Sequence, residues 1–464
     1  MAKLKVGLLG LTLEFYEKGI PQLRPGREEF VRRRVLPKLE AVAEVRFAGA
    51  CFTRQMVERA VAGFEAEGVD AILVMLLSYS PSLISAPALL RTRLPIVVWN
   101  TQELLAVDQS YGIPELLGNH GVHGTFDLCN VLVRAGRRFG YVTGHVDDAG
   151  ATGELDDFFA AARGVKKLSN ARLGLLGYPF PGMGDFGLDT TQMASTLGCE
   201  WVMLGLPEYV SRCEEAEGKA VNEWVGVYRD AYDLAPDVTA EDLAAAARAE
   251  VAMRGLIRDY RLDGFTYQFL AFGEDRRVET IPFVATSRLL AEGIGFGGEG
   301  DLIAAAGSAL LSWIQSPASF SEIFTIDFAG NSVLMSHMGE ANVAMSRRDR
   351  KVRLMRRPSL VPIRGSQLVL AGSFEPGEAT LMALTVGEGQ RWRIISSLMQ
   401  IVDFGPLEQL FVPHSKMKPQ GDVREFLTAY AKAGGPHHLA VCFGDARQRL
   451  RTAAEMIAAD YVEV

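Results

Sequence analysis

Short apolar runs alternate with amphipathic helical patterns through the first third of this chain, and that alternation admits few folds. The runs 5–10, 43–48, 71–77, 96–99 and 139–143 are apolar or β-branched, and between them lie helical stretches such as 28–41, 54–67 and 124–134. Strands that alternate with helices build a parallel, doubly wound sheet covered on both faces. No Gly-x-Gly-x-x-Gly follows the first strand, so this α/β domain, 1–168, is expected to be Rossmann-like without a dinucleotide.

Near residue 170 the pattern restarts. Ala-Arg-Leu-Gly-Leu-Leu-Gly (171–177) echoes Leu-Lys-Val-Gly-Leu-Leu-Gly (4–10), which predicts a second α/β domain over 169–314. Within it Thr239 caps a helix running to about Tyr260, with Glu241 and Asp242 in the first turn where the helix dipole favours acids. The strand 264–269 follows. Beyond about residue 315 the runs 320–328, 332–336, 368–371, 379–386 and 391–401 read as strands with few helices between them. They predict an antiparallel, barrel-like β-domain over 315–464, closed by a helix (424–433), a strand (439–443), a helix (446–459) and a strand (461–464).

With 464 residues the chain can bury two or three sizeable cores. Its net charge of −8 argues against nucleic acid or an anionic membrane as the main partner. The opening Met-Ala-Lys-Leu-Lys-Val-Gly-Leu-Leu-Gly reads as a strand rather than a signal peptide, and no run reaches the ~18–20 apolar residues of a membrane span. Five cysteines without a Cys-x-x-Cys suit reduced thiols and a cytoplasmic setting.

Several words carry polar residues in unusual company. Glu299 stands in Gly-Phe-Gly-Gly-Glu-Gly-Asp (295–301), where a phosphate-loop reading is disfavoured because a helix, 286–292, rather than a strand is expected before it. Glu322 stands in the alternating run Ser-Phe-Ser-Glu-Ile-Phe-Thr (319–325). A carboxylate beside apolar neighbours is costly to bury alone, which favours a paired or metal-bound state over the solvent face of an edge strand. His337 follows Val333-Leu334-Met335 and, taken alone, reads as a core histidine. His437 and His438 follow the turn Gly434-Gly435-Pro436. His120 and His123 have His-x-x-His spacing, but no cysteine or carboxylate sits at a zinc-ligand offset.

Taken together and in order, these words resemble L-arabinose isomerase and the wider arabinose/fucose isomerase family. His-Gly-Thr-Phe-Asp (123–127), Val-Thr-Gly-His-Val-Asp (142–147), Phe-Thr-Tyr-Gln-Phe (265–269), the stretch 287–301, Ser-His-Met-Gly-Glu (336–340) and Ala-Gly-Gly-Pro-His-His (433–438) carry the likeness. The resemblance implies metal ligands Glu299, Glu322, His337 and His438, with Glu299 and Glu322 also the catalytic acid/base pair. It places His437 against the substrate, His123 on a substrate oxygen across a subunit boundary, and His120 where glutamine is common. Met183 and Phe269 match pocket positions, with plain core an equal reading. Such a mixed oxygen and nitrogen set suits Mn2+, with Co2+ as a substitute. Four protein ligands on a six-coordinate ion leave two adjacent positions for the C1 and C2 oxygens of a sugar. The implied activity is aldose–ketose isomerisation, L-arabinose to L-ribulose or a related conversion such as D-galactose to D-tagatose, in a homotrimer or homohexamer.

This chain also departs from the family. The early Gln-x-Leu-Tyr contact word is replaced by Leu11-Thr12-Leu13-Glu14-Phe15-Tyr16, which predicts a shifted sugar preference. After His337 the usual Cys-Pro becomes Ala341-Asn342-Val343-Ala344, followed by Arg347, Arg348, Arg350, Lys351, Arg353, Arg356 and Arg357. That basic run reads as a solvated face, with an anionic substrate as the alternative. The competing functions are a non-catalytic sugar-binding or regulatory protein, an isomerase for an L-fucose-like, modified or acidic sugar, and a zinc hydrolase.

Overall fold

The computed structural model describes residues 4–405 and 407–464, which divide into two compact units, Met1–Lys166 and Lys167–Val464. The first holds β1 (Leu4–Leu11), β2 (Ala43–Arg46), β3 (Ala50–Cys51), β4 (Ala71–Leu76), β5 (Ile96–Asn100) and β6 (Gly140–Thr143). They form one parallel sheet in the order β2-β1-β4-β5-β6, with the short β3 also paired to β1. All six residues of β4 are buried, as a central strand covered on both faces requires. The expected 28–41 helix is instead a Leu23–Phe30 helix that passes through a π turn into Leu36–Leu39. Pro37 lacks the N–H that an unbroken ladder would use.

The second unit begins with β7 (Arg172–Leu176) and β8 (Glu200–Leu204), followed by β9 (Asp233–Leu234), β10 (Gly264–Tyr267) and β11 (Gly295–Gly297). Four of these make a parallel sheet ordered β11-β10-β7-β8. Thr239 caps the Ala240–Tyr260 helix by accepting from Asp242 N, and the Asp242 carboxylate returns to Thr239 N.

The strands that follow are β12 (Ala318–Asp327), β13 (Ser332–Ser336), β14 (Arg353–Arg357), β15 (Gln367–Ala371), β16 (Gly377–Val386), β17 (Trp392–Ile401), β18 (His414–Pro419), β19 (His438–Phe443) and β20 (Asp460–Glu463). Antiparallel pairs run β16-β19-β12-β13-β18-β17 and return to β16, so six strands close a barrel that leaves no free edge among them. Strand β20 adds in parallel to β17. Strands β9, β14 and β15 form a separate small sheet. Val333, Leu381, Ile395, Met399, Met417 and Val441 pack in one core of this region.

Every residue of the Leu302–Ile314 helix is buried, the expected state of a helix that is apolar all round. It packs on β10 and β11 of the parallel sheet and on β12, β16 and β19 of the barrel. One element therefore ties both sheets of the second unit together, and its N-terminus fixes the site described below. No helix among the described residues is long and apolar enough to cross a membrane.

Candidate metal centre

Three neighbouring strands carry three of the polar residues singled out above. Strand β12 lies between β13 and β19, and Glu322 stands opposite Ser336 on one side and His438 on the other. His337 follows directly at the end of β13. Just past Glu322 the β12–β13 register shifts between Ile323 and Thr325, an irregularity that re-aims side chains at a strand end. Phe320, two residues before Glu322 and so on its face of the strand, meets both imidazoles edge-on. Its ring centroid lies 4.7 Å from that of His337 and 5.0 Å from that of His438.

Glu299 arrives from the parallel sheet. The sequence predicts Glu299 between two helical segments; the structure inserts β11, so the glycine-rich word is a strand–turn–helix. The strand was hidden because its residues are Gly295, Phe296 and Gly297. Gly297 is there for close packing: a Cβ on it would come within 2.2 Å of the Asp301 carbonyl oxygen. Glu299 itself adopts a left-handed φ of 59°, sparsely populated for a residue with a Cβ. Its carbonyl accepts from Phe180 N at 2.9 Å, and the next amide, Gly300 N, donates to Thr266 Oγ1 at 3.0 Å.

These elements converge. His438 Nε2 lies 3.0 Å from Glu322 Oε1 and 3.7 Å from Glu299 Oε2, while His437 Nε2 lies 3.7 Å and 3.8 Å from the same two oxygens. Glu299, Glu322, His437 and His438 each offer one ligand atom, all within 4.8 Å of one another.

Behind each imidazole stands a carboxylate. His438 Nδ1 meets Asp301 Oδ2 at 2.9 Å, His337 Nδ1 meets Glu340 Oε2 at 2.5 Å, and His437 Nδ1 meets Asp185 Oδ2 at 2.5 Å. A carboxylate at Nδ1 holds the proton there and leaves Nε2 as the lone-pair donor, the arrangement that orients histidine toward a metal. Burial disfavours the His438 imidazolium, yet Asp301 and Glu322 outweigh it and push the group up to about 10. Burial likewise opposes charge on His337 and His437, and the acids beside them prevail, raising both. Burial acts to raise the Glu322 carboxyl, but His438, His337 and His437 hold it below its ordinary value, as a carboxylate. The same balance, with His437 as partner, lowers Asp185.

Two observations test whether a cation fits. His438 Nε2 is buried without a hydrogen-bond partner; its 3.0 Å approach to Glu322 Oε1 is close but not aligned for an N–H···O bond, as when two donors aim at a third point. The space above Gly298 is also bounded by imidazoles, since a Cβ there would sit 3.0 Å from His337 Nε2 and 3.1 Å from His438 Nε2. Carboxylate oxygens and imidazole nitrogens around such a space suit a divalent cation with mixed ligands. His337, outside the tightest group of four, thus borders the same space as His438.

The other expected positions are distributed. Phe269 lines a cavity with Glu299 and His337, and its ring packs 5.9 Å from Phe180. Met183 is half-buried in the loop that carries Asp185. His120 and His123 belong to the first unit, where Tyr79 stacks on His123 at 4.7 Å and Tyr16 Oη lies 3.2 Å from His120 Nε2. Asp185, Asp301, Glu340 and Tyr267 were missed, and Arg357 was named only within the basic run. Asp301 and Glu340 ended words already singled out; Asp301 meets His438, 137 residues away in the chain, whereas Glu340 meets His337 within its own word. Tyr267 donates to Glu340 Oε1. Arg357 corrects the reading of the basic run as a solvated face: it ends β14 at 8% exposure and donates to the Met338 carbonyl.

The L-arabinose isomerase central domain family matches residues 188–316, and the L-arabinose isomerase C-terminal domain family matches 317–460. The L-arabinose isomerase of Acidothermus cellulolyticus is 27% identical, covering 86% of this chain and 81% of that one. Those of a Nocardioides species and of Geobacillus kaustophilus are 26% and 25% identical, covering 85% and 86% of this chain and 80% and 81% of theirs. A solved periplasmic solute-binding protein from Actinobacillus succinogenes with bound D-allose covers 67% of this chain and 92% of its own at 14% identity, and its TM-score of 0.17 does not amount to a shared fold. Parallel sheets, a closed barrel and a Glu/His cluster at its end, together with these relatives, define an aldose–ketose isomerase. The two matched families adjoin and together take in 188–460, and the chain belongs to the L-arabinose isomerase family.

Proposed function

We propose that this protein interconverts an aldose and a ketose at a divalent-metal site, with Glu299 and Glu322 as the acid/base pair. L-arabinose to L-ribulose is the starting assignment, and D-galactose to D-tagatose is next to it. The observation that carries this reading is the convergence of both glutamates on the Nε2 atoms of His437 and His438, whose Nδ1 sides are held by Asp185 and Asp301. Glu299, Glu322, His337 and His438 would hold the ion, Mn2+ by donor chemistry with Co2+ as a substitute. Bound there, the ion supplies Lewis-acid polarisation of adjacent sugar oxygens.

The residues then divide the work. Glu322 removes the proton from C2 of the aldose while Glu299 gives one to O1, which yields an enediol. Glu322 then returns its proton to C1 as Glu299 takes the proton of O2. His437, half-exposed and held by Asp185, is assigned to the sugar by the family likeness, although its Nε2 also borders both glutamates. His123 and His120 complete the pocket of a neighbouring subunit in a homotrimer or a dimer of trimers. Exposed Phe126, one turn from His123, supports an interface there.

The test is ketose formation from a panel of pentoses, hexoses, deoxy sugars and acidic sugars, with Mn2+ and with EDTA. Metal-dependent ketose from at least one of them is expected. Turnover of none, or turnover indifferent to EDTA, overturns the reading. Deuterium from D2O at C1 of the ketose is expected for proton transfer, and its absence would assign a hydride shift instead.

A further inference from the structure

We propose that the sugar isomerised here carries a carboxylate at the end remote from its carbonyl group, and that Arg357 receives it; this rests on the isomerase reading above. A cavity of ≈ 110 Å³ has Glu299, His337, Phe269, Phe283, Gln367 and Arg357 in its wall. The acid/base residue Glu299 and the Arg357 guanidinium therefore open into one space. Tyr267, Ile281, Met338 and Leu360 make the rest of that wall mostly apolar, and Glu340 within it is held by Tyr267 and His337.

Most arginines near Arg357 are paired, and Arg348, unpaired among the described residues, is exposed, whereas Arg357 is buried. Arg347 and Arg350 pair with Asp349, Arg353 with Glu408, and Arg356 with Asp242. Arg357 makes no ion pair among the described residues. Its guanidinium donates to the Met338 carbonyl and lies 5.4 Å above the Phe283 ring. The acid that bears on it most, Glu340, already receives His337 at one oxygen and Tyr267 at the other. Burial works against the charge and lowers the guanidinium from its usual value. A buried cation without a carboxylate is costly in a folded protein. The cost is offset when a ligand brings the anion, and the planar guanidinium fork matches a carboxylate with two parallel hydrogen bonds.

Charge decides between anions. A phosphate ester brings a charge of about −1.5 to −2, which one arginine beside Glu299 and Glu340 would leave uncompensated. A carboxylate brings a single charge. The alternative role for Arg357 is a clamp on the Met338 carbonyl that affects every sugar alike.

The experiment compares D-galacturonate, D-galactose and D-galactose 6-phosphate on the full-length protein with Mn2+ saturating. Expected is a kcat/KM for the uronate about 10²-fold above that for galactose, the scale of a charge-assisted hydrogen-bonded pair. In Arg357→Met that ratio should collapse about 10²-fold through KM, while Arg357→Lys keeps part of it. A wild type that prefers galactose or the phosphate overturns the proposal, as does an Arg357→Met that lowers all three in proportion. Turnover of no sugar would sink the isomerase reading instead. Calorimetry with D-galacturonate then decides alone: binding that is lost in Arg357→Met and partly kept in Arg357→Lys upholds the carboxylate site, and its absence from the wild type removes it.

Discussion

Asp301 serves two structures with one carboxylate: Oδ1 accepts from Ala304 N at 2.9 Å and caps the Leu302–Ile314 helix, while Oδ2 lies 2.9 Å from His438 Nδ1. The helix that joins the parallel sheet to the barrel thus also sets the ring that faces Glu322. Asp301→Asn separates the two duties, because asparagine caps helices about as well as aspartate but brings no charge to the imidazole. Mn2+ affinity should fall about 10–100-fold, as for other outer partners of metal-bound histidine, with the melting temperature of the metal-free protein little changed. Asp301→Ala should lose the affinity and about 1 kcal/mol of stability as well. Calorimetric Mn2+ titration and thermal melts after EDTA treatment measure both.

Gly298→Ala should abolish tight metal binding while the fold survives. The added methyl would occupy the space between His337 Nε2 and His438 Nε2, 3.0 Å and 3.1 Å away. A variant that keeps wild-type Mn2+ affinity would show that this space is not where the ion sits.

Much of this site could be read from the sequence because its residues sit in short local words. Glu299, Glu322, His337 and His438 were marked by glycines, an alternating strand and apolar flanks. Their supports could not be read so easily. Asp301 and His438 are 137 residues apart in the chain, and no local pattern pairs them. Strand β18 was missed because Lys416 and Lys418 alternate with Met417, the one side chain of the three that reaches the core. Arg357 was lost inside a run of like charges, since charge runs usually face solvent. Element patterns, by contrast, survive loss of detail: both parallel sheets followed from the alternation of strands and helices, and the barrel from its loss after about residue 315.

Metal binding should tighten as pH rises. His438 holds its proton up to about pH 10 in the metal-free protein, so loading the ion must displace that proton. Affinity for Mn2+ should therefore increase about tenfold per pH unit between pH 6 and 9 from this group alone. The sign is opposite for folding of the metal-free protein. The raised His438 favours the folded state fully below its unfolded value of about 6.5, and that contribution fades toward pH 10. Titrations at several pH values, with proton release followed by indicator dye, check the slope. A pH-independent affinity would mean that no imidazolium is displaced.

Glu322→Gln and Glu299→Gln should each lower turnover by about 10²–10⁴, the usual worth of a general acid or base. A double-digit percentage of wild-type activity in either would remove that residue from the chemistry. The two should differ in metal binding. Glu322 is the closer carboxylate to His438, 3.0 Å against 3.7 Å for Glu299, so its loss should weaken Mn2+ more. Mn2+ affinity set beside activity separates the two effects, and equal affinities in both variants would contradict this ranking.

Mixing inactive subunits tests the shared pocket. His123 is exposed in the first unit, stacked on Tyr79, while the metal cluster is built wholly from the second. If the pocket draws His123 from a neighbour, a His123→Ala protein and a Glu299→Gln protein are defective in different halves of one site. Dissociated together and reassembled, some pockets would combine an intact His123 with an intact Glu299. Activity should then recover to a fraction set by the mixing ratio, and it should vanish again if the two variants are reassembled separately. A chain that completes its own pocket cannot gain from mixing, so no recovery in verified mixed oligomers would place both residues in a single subunit's site.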